Sequence, residues 1–127
     1  MIDIVTDPFA SDTVMRVLWQ SAWNSDGPPS FQPILQRSLV HVGAFEREAM
    51  VGFINVAWDG GQHGFILDTC VHPQWRRRGI ASRMVERAVV EARVRGAKWL
   101  HVDFEPHLEG FYFGCGFRHT GAGVMQL

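Results

Sequence analysis

Residues 71–84, VHPQWRRRGIASRM, constrain the fold of this chain more than any other stretch. The apolar, β-branched run FILDTCV leads into them and predicts a strand. Beyond Gly79, apolar residues recur at helical spacing, at positions 81, 84, 85, 88, 89 and 92. Because Pro73, three arginines and Gly79 lie between strand and helix, the order predicts a tight basic turn that feeds a helix N-terminus.

The remaining pattern predicts further strands and helices around this unit. SLVHVGAF and MVGFINVAW flank the polar EREA as in a hairpin, and WLHVDF predicts another strand. We also expect a short strand over residues 2–5, a short helix around 107–114 and a last strand near 117–127. Consecutive strands followed by strand–helix–strand predict an α/β fold with a mixed sheet flanked by helices.

The predicted first helix carries two apolar stripes. Ser11 or Asp12 can cap it, and one stripe consists of Val14, Val17, Leu18 and Ala22. Met15, Trp19 and Trp23 form a second stripe with a spacing of four residues. Such a stripe is typical of a core, and the alternative is that it lines a pocket.

Composition limits the class of protein. A chain of 127 residues, 46% hydrophobic and with a formal net charge of −1, fits one domain over residues 1–127. Near-neutral charge argues against a protein that coats nucleic acid or an anionic membrane. Cys70 and Cys115 show no metal-ligand spacing, so we expect reduced thiols, no metal and a cytoplasmic location. Residues 1–10 lack the pattern of a signal peptide, and no apolar run is long enough to span a membrane.

The arginine–glycine turn has three possible meanings. Gly79 lets a ligand approach the backbone, and small Ala81 keeps the first helical turn open. The unpaired N–H groups and the arginines Arg76, Arg77 and Arg78 then suit a pyrophosphate. The alternatives are a solvated basic run and a nucleic-acid surface, although no aromatic platform accompanies the arginines. Neither G-x-x-x-x-G-K-[ST] nor G-x-G-x-x-G is present.

Two segments together resemble a known family. V-x-P-x-x-R-x-x-G-I-A, at 71–81, is similar to the acetyl-coenzyme A signature Q/R-x-x-G-x-G/A of the GNAT N-acetyltransferase superfamily. FYFGCGF, at 111–117, resembles the family's F-Y-x-x-x-G-F segment. The resemblance implies the GNAT fold, with a mixed, mostly antiparallel central sheet flanked by helices. It also implies acetyl-coenzyme A as cosubstrate and a small-molecule or peptide amine as acceptor.

The resemblance assigns residues to the cofactor site. Backbone N–H groups of Thr69, Cys70 and Val71, in a splayed or bulged strand, would bind the acetyl carbonyl and the pantetheine. The phosphates would contact the turn and helix start, at Arg76, Arg77, Arg78, Gly79, Ile80 and Ala81. The family often has Asn seven residues before the tyrosine, and this chain has Glu105 there.

Catalytic roles follow from the same resemblance. Tyr112 is expected to protonate the departing thiolate, against the alternative of a core aromatic among neighbouring phenylalanines. Asp68 matches an aspartate that helps to hold the amine, or it is a satisfied strand residue. Phe65 and Leu67 cannot act as a base, so we expect a water-relayed base, with Asp68, His63 or Glu105 as candidates. A covalent route through Cys70 or Cys115 lacks a histidine partner.

The sequence therefore predicts acetyl transfer from acetyl-coenzyme A to a primary amine by direct attack in a ternary complex. The alternatives are a non-catalytic module of the same fold that binds coenzyme A, and an RNA-binding protein that uses the arginines. We expect a monomer or homodimer, with no nucleic-acid or membrane partner. Residues 11–37, which would select the acceptor in this family, show no motif.

Overall fold

The computed structural model describes all residues, 1–127. Its strands are β1 (Asp3–Thr6), β2 (Ser38–Glu46), β3 (Ala49–Trp58), β4 (His63–Val71) and β5 (Trp99–Val102). They form one five-stranded sheet in the order β1-β2-β3-β4-β5. Neighbours are antiparallel except for β4 and β5, which are parallel. The predicted mixed, mostly antiparallel sheet is confirmed.

Helices cover both faces of this sheet. They are α1 (Asp12–Trp23), α2 (Gln32–Arg37), α3 (Ile80–Val94) and α4 (Glu109–Gly114). Alternate residues of each strand point to opposite faces, which gives two buried clusters. One cluster joins α3 to the sheet through Met84, Val85 and Ala88, and the other joins α1 and α2 to the opposite face. None of these helices is both long enough and apolar enough to cross a membrane.

The ends of the helices follow the predicted signals. Ser11 caps α1, since its Oγ accepts a hydrogen bond from the Val14 N–H at 3.2 Å. α3 begins directly after Gly79 and is followed by Gly96, whose φ is +104°. The predicted i,i+4 pair is present as well, with Arg95 Nη2 at 3.4 Å from Glu91 Oε2.

The second stripe of α1 divides between core and surface. Met15 and Trp19 are buried together with Leu18, whereas Trp23 is 42% exposed. Val17, from the first stripe, is 57% exposed. The core interpretation therefore holds for Met15 and Trp19, and Trp23 is free to line a pocket.

Two parts of the predicted secondary structure were wrong. Residues 117–127 form no strand, and no strand pairs with the outer edge of β5. Gly121 and Gly123 interrupt this segment, and glycine weakens a strand interior. The sequence analysis also missed α2, because six residues beginning at Gln32 are too few to show a helical period.

Candidate functional site

A cleft opens where β4 and β5 separate. The two strands are paired from His63↔Trp99 to Ile66↔Val102, but β4 continues through residues 67–71 without a partner on that side. A cavity of about 560 Å³ lies at this divergence. Along residues 67–71, the backbone N–H and C=O groups on this side have no strand partner. Since buried backbone groups of this kind require a partner, they are available to a ligand.

A bulge in β4 lies beside the cleft. Phe53 pairs with Cys70 and Asn55 with Leu67, so the interval on β4 is one residue longer than the interval on β3. Asp68 takes up the extra residue with a φ of +59°, a left-handed conformation that aspartate tolerates better than most residues. The splayed and bulged strand that the resemblance implied is present.

The cavity is lined by predicted site residues and by others that the sequence analysis did not name. Thr69 and Tyr112 both line it. The Thr69 Oγ1 atom is buried and has no hydrogen-bond partner, which is unusual for a hydroxyl in a folded protein. Trp23 lines the cavity too, as the pocket alternative for its stripe allowed. The residues missed by the sequence analysis are mostly apolar or aromatic: Ile66, Val102, Asp103, Phe104, Leu108, Ala122, Gly123 and Val124.

Tyr112 sits at the buried wall of this cavity. It is 4% exposed and stacks on Phe104 with ring centroids 5.0 Å apart, while Phe111 and Phe117 contact it edge-on. Burial raises the pKa of its phenol, and the nearby Thr69 hydroxyl offsets part of this rise without making a hydrogen bond of ordinary geometry. The phenol is thus protonated at neutral pH, as a proton donor must be.

Three carboxylates line the same cavity. Asp68 lies on the bulge, Asp103 follows β5 directly, and Glu105 lies two residues further on. None of them forms a salt bridge. More than a third of the Asp68 surface is exposed, yet the surrounding protein still raises the pKa of its carboxyl through desolvation. No sequence motif marks Asp103, whose place at the cavity follows from its position directly after β5.

The turn before α3 leaves its backbone open. Gly79 adopts a φ of +75°, and a Cβ atom placed there would meet nothing within 4 Å. The first helical bond is donated by the Arg83 N–H to the Gly79 carbonyl at 3.2 Å. The N–H groups of Ile80, Ala81 and Ser82 therefore have no acceptor in the chain, which is the arrangement that binds anions at helix N-termini.

The three arginines differ in their surroundings. Arg76 Nε donates to the Val71 carbonyl at 3.2 Å, which ties the turn to the end of β4. The Arg78 guanidinium lies 4.6 Å from the ring centroid of Trp75. Arg77 is exposed, and none of the three pairs with a carboxylate. Positive charge at this helix start is thus not neutralised by the protein.

The remaining titratable candidates lie outside the cavity lining or are poor nucleophiles. His63, one of the candidate bases, begins β4 and contacts His101, with Nδ1 and Nε2 2.8 Å apart. Burial raises the pKa of the Cys70 thiol to about 12, and desolvation also raises that of Cys115. Because the thiolate is the reactive form of cysteine, both are unsuited to a covalent route. His72 caps the turn at residues 73–75 by accepting from the Gln74 N–H.

Comparison with known proteins identifies the family. The sequence model described as Acetyltransferase (GNAT) family matches residues 9–117, and this chain belongs to that family. Mycothiol acetyltransferase of Mycolicibacterium vanbaalenii is 29% identical over 104 residues, which is 82% of this chain and 32% of that protein. Glucosamine 6-phosphate N-acetyltransferase 1 of Oryza sativa subsp. japonica is 40% identical over 57 residues, 45% of this chain and 34% of that protein. The chain thus spans about a third of the length of these curated relatives.

Solved structures agree with this assignment. A GNAT family acetyltransferase from Streptococcus pneumoniae TIGR4 is 25% identical, with a TM-score of 0.79 over 99% of this chain and 98% of that one. The aminoglycoside N-acetyltransferase AAC(6')-Iy, solved in complex with CoA, has a TM-score of 0.77 at 19% identity. The match covers 100% of this chain and 94% of the aminoglycoside N-acetyltransferase, and it shows that the two share a fold. The predicted family and fold are confirmed.

The residues present fit acetyl-coenzyme A, the cosubstrate of GNAT acetyltransferases. Open N–H groups and arginines at the start of α3 suit a pyrophosphate. The free edge of β4 and the unpartnered Thr69 hydroxyl suit the polar groups of a chain inserted between β4 and β5. Glu105 lies at the cavity where the family often has asparagine, so a carboxylate replaces an amide at that point.

Proposed function

We propose that this chain transfers the acetyl group of acetyl-coenzyme A to a primary amine, by direct attack of the amine in a ternary complex. One observation carries the proposal: an open helix N-terminus follows a strand with a free edge. The helix N-terminus suits the phosphates of the cosubstrate, and the strand edge suits its thioester. The curated relatives are named as acetyltransferases, which supports the same reaction class.

The cosubstrate would be held at two places. The N–H groups of Ile80, Ala81 and Ser82, with the arginines, would bind its phosphates, and Gly79 would let them approach the backbone. Backbone N–H groups of residues 69–71 would bind the acetyl carbonyl and stabilise its developing negative charge. The thioester supplies the activated acetyl group.

Tyr112 would act as the general acid. Its phenol is buried and keeps its proton at neutral pH because burial raises its pKa. As the carbon–sulfur bond breaks, the Tyr112 hydroxyl would donate its proton to the departing thiolate sulfur. The aromatic rings around Tyr112, above all the stacked Phe104, would hold the phenol in place and exclude water.

Asp68 would hold the incoming amine. Its carboxylate has no cationic partner in the protein, so it can attract an ammonium group. The amine must lose a proton before it attacks, and a water molecule beside Asp68 or Glu105 would accept it. Neither residue 65 nor residue 67 offers an alternative, since both are apolar.

An assay of free thiol tests this proposal. Purified protein is incubated with acetyl-coenzyme A and a panel of primary amines, and released coenzyme A is measured together with the acetylated product. Amine-dependent thiol release with product formation is the expected result. Tight binding of acetyl-coenzyme A with no thiol release for any amine contradicts the proposal.

That second outcome would favour a non-catalytic module that binds acetyl-coenzyme A. The observation behind this alternative is the deep packing of Tyr112 among aromatic rings, which a purely structural residue would also show. Glu105 also stands at the cavity where the family often has asparagine, which is consistent with an altered cofactor site. Isothermal titration of acetyl-coenzyme A, with the thiol assay on the same sample, separates the two functions.

A further inference from the structure

Two histidines meet at the closed end of the β4–β5 pair, away from the cavity where the strands separate. His63 lies opposite Trp99, and His101 lies two residues further along β5. Because side chains two residues apart point to the same face of a sheet, both imidazoles project from one face. His63 Nδ1 is 2.8 Å from His101 Nε2, and neither residue lines the cavity. No sequence spacing marks the pair, since 38 residues separate its members.

The distance between the two ring nitrogens matches that between neighbouring ligands of a metal ion. Imidazole nitrogens bind divalent metals at about 2.0–2.1 Å. Two such bonds at a right angle place the nitrogens about 2.8–3.0 Å apart, whereas a tetrahedral angle separates them by about 3.3–3.4 Å. The observed 2.8 Å therefore fits the right-angled geometry of Cu²⁺ and Ni²⁺ better than the tetrahedral geometry of Zn²⁺.

A metal ion would replace the proton that the two imidazoles share. In their present contact one ring nitrogen donates its N–H to the other, so the two lone pairs do not meet at one point. When a metal ion binds, the donor ring would carry its proton on its other nitrogen, and both rings would turn toward the ion. His101 is exposed and His63 is half-buried, so solvent gives an ion access to the pair.

The surroundings of the pair favour a cation. Asp59 lies in the turn before β4, where its Oδ1 atom accepts from the N–H groups of Gly61 and His63 at 2.7 and 3.2 Å. This carboxylate forms no salt bridge, so its charge can attract a metal ion toward the neighbouring imidazole. Phe65 stacks on His101 with ring centroids 4.7 Å apart, which restrains that ring. No group of three protein ligands is present, so water would fill the other coordination positions.

We propose that His63 and His101 form a surface site for a divalent transition metal, which binds Cu²⁺ most tightly and prefers Ni²⁺ to Zn²⁺. The bound ion would join β4 to β5 at the closed end of the pair. The site is separate from the proposed acetyl transfer and does not depend on it.

Isothermal titration of Cu²⁺, Ni²⁺ and Zn²⁺ into untagged, chelator-washed protein tests the site. We expect one ion per chain at this pair, with Cu²⁺ bound most tightly, as the general order of divalent metals also predicts. His63→Gln and His101→Gln should each weaken Cu²⁺ binding at least about tenfold, since even the loss of an outer hydrogen bond to a metal ligand costs about 10–100-fold. His107→Gln and His119→Gln replace exposed histidines outside the pair, and they should leave the affinity unchanged.

Electron paramagnetic resonance of the Cu²⁺-loaded protein identifies the ligands. Coupling to two imidazole nitrogens is expected in the wild type, and coupling to fewer in His63→Gln and His101→Gln. Ni²⁺ should also raise the Tm of the wild type more than that of either variant, because an ion that prefers the folded chain stabilises it.

The outcomes decide both the site and its geometry. Equal Cu²⁺ affinity in the wild type and the two variants of the pair, or a spectrum without two imidazole nitrogens, overturns the site. Zn²⁺ that binds more tightly than Ni²⁺ overturns the right-angled geometry and the metal preference inferred from it.

Discussion

Replacing Gly79 with leucine tests the phosphate site more directly than any other single change. The glycine adopts a φ of +75°, and an added Cβ would meet nothing within 4 Å. Leucine therefore creates no clash in the free protein, and the cost is the left-handed conformation, about 1–2 kcal/mol. For a chain of this size we expect Tm to fall by about 3–8 °C.

Gly79→Leu should weaken coenzyme A binding by more free energy than it removes from the stability of the fold. The leucine side chain would stand where a phosphate must approach the N–H groups of Ile80, Ala81 and Ser82. Loss of a single hydrogen bond to a charged group is worth about 1.5–3 kcal/mol, which corresponds to roughly 10–150-fold in Kd. Isothermal titration of coenzyme A into Gly79→Leu and wild type measures this change.

Gly96 provides a control on the same helix. It follows the C-terminal end of α3 with a φ of +104°, and an added Cβ would also meet nothing within 4 Å. Gly96→Leu should lower Tm by a similar amount and leave coenzyme A affinity within about threefold, well short of one lost hydrogen bond to a charged group. A folded Gly79→Leu protein with unchanged affinity, or equal losses in both variants, would refute the phosphate assignment.

The other predictions concern the reaction and the core. Tyr112→Phe should bind acetyl-coenzyme A normally yet lose about 10²–10⁴-fold in single-turnover rate, and a loss below about threefold would make Tyr112 a core aromatic. Because burial raises the pKa of the Tyr112 phenol, the phenol should keep its proton up to about pH 9. The wild-type rate should therefore not decrease through ionisation of Tyr112 in this range. Asp68→Asn keeps a side chain that tolerates the positive φ, so it should raise the amine KM or lower kcat while coenzyme A affinity stays unchanged; unaltered kinetics would make Asp68 structural. Buried His41 accepts a hydrogen bond from the Phe9 N–H, and desolvation lowers its pKa. As pH falls, the imidazole of residue 41 therefore takes up a proton in the unfolded chain before it does so in the folded chain. The free energy of unfolding should then decrease below about pH 6.5, by up to about 1.4 kcal/mol per pH unit. Urea unfolding at about pH 7 and about pH 5 measures this slope, which His41→Gln should lack.

Local patterns predicted those parts of the fold whose signals lie within one segment. The helix from Ile80, its end near Gly96 and the β2–β3 hairpin each depend on periodicity or on turn residues, which a single stretch of sequence contains. The segment 117–127 has apolar residues but no strand, because a strand requires a neighbour and local apolar character does not supply one.

The site was predicted only where a motif marks it. Gly79 and Tyr112 belong to the two recognisable segments, and Thr69 lies just before the first of them. The structure brings residues 67–69 and Tyr112 around one cavity. Asp103 and Trp23 belong to no motif, since their place in the cavity depends on where β5 leaves β4 and where α1 ends. That separation of strands is a property of the sheet and cannot be read from either segment alone.

The bulge at Asp68 links the two halves of the proposed site. Because side chains alternate along a strand, one extra residue in β4 reverses the faces of the residues that follow it relative to β3. This extra residue lies where β5 has already departed from β4, and Asp68 and Thr69 at the bulge both line one cavity. In the proposed reaction, the backbone that would bind the thioester carbonyl and the carboxylate that would bind the amine are therefore positioned by a single distortion. A change that removed the bulge from β4 should therefore impair the use of both substrates. The substitution at Gly79 should impair only coenzyme A binding, and the substitution at Asp68 only the use of the amine.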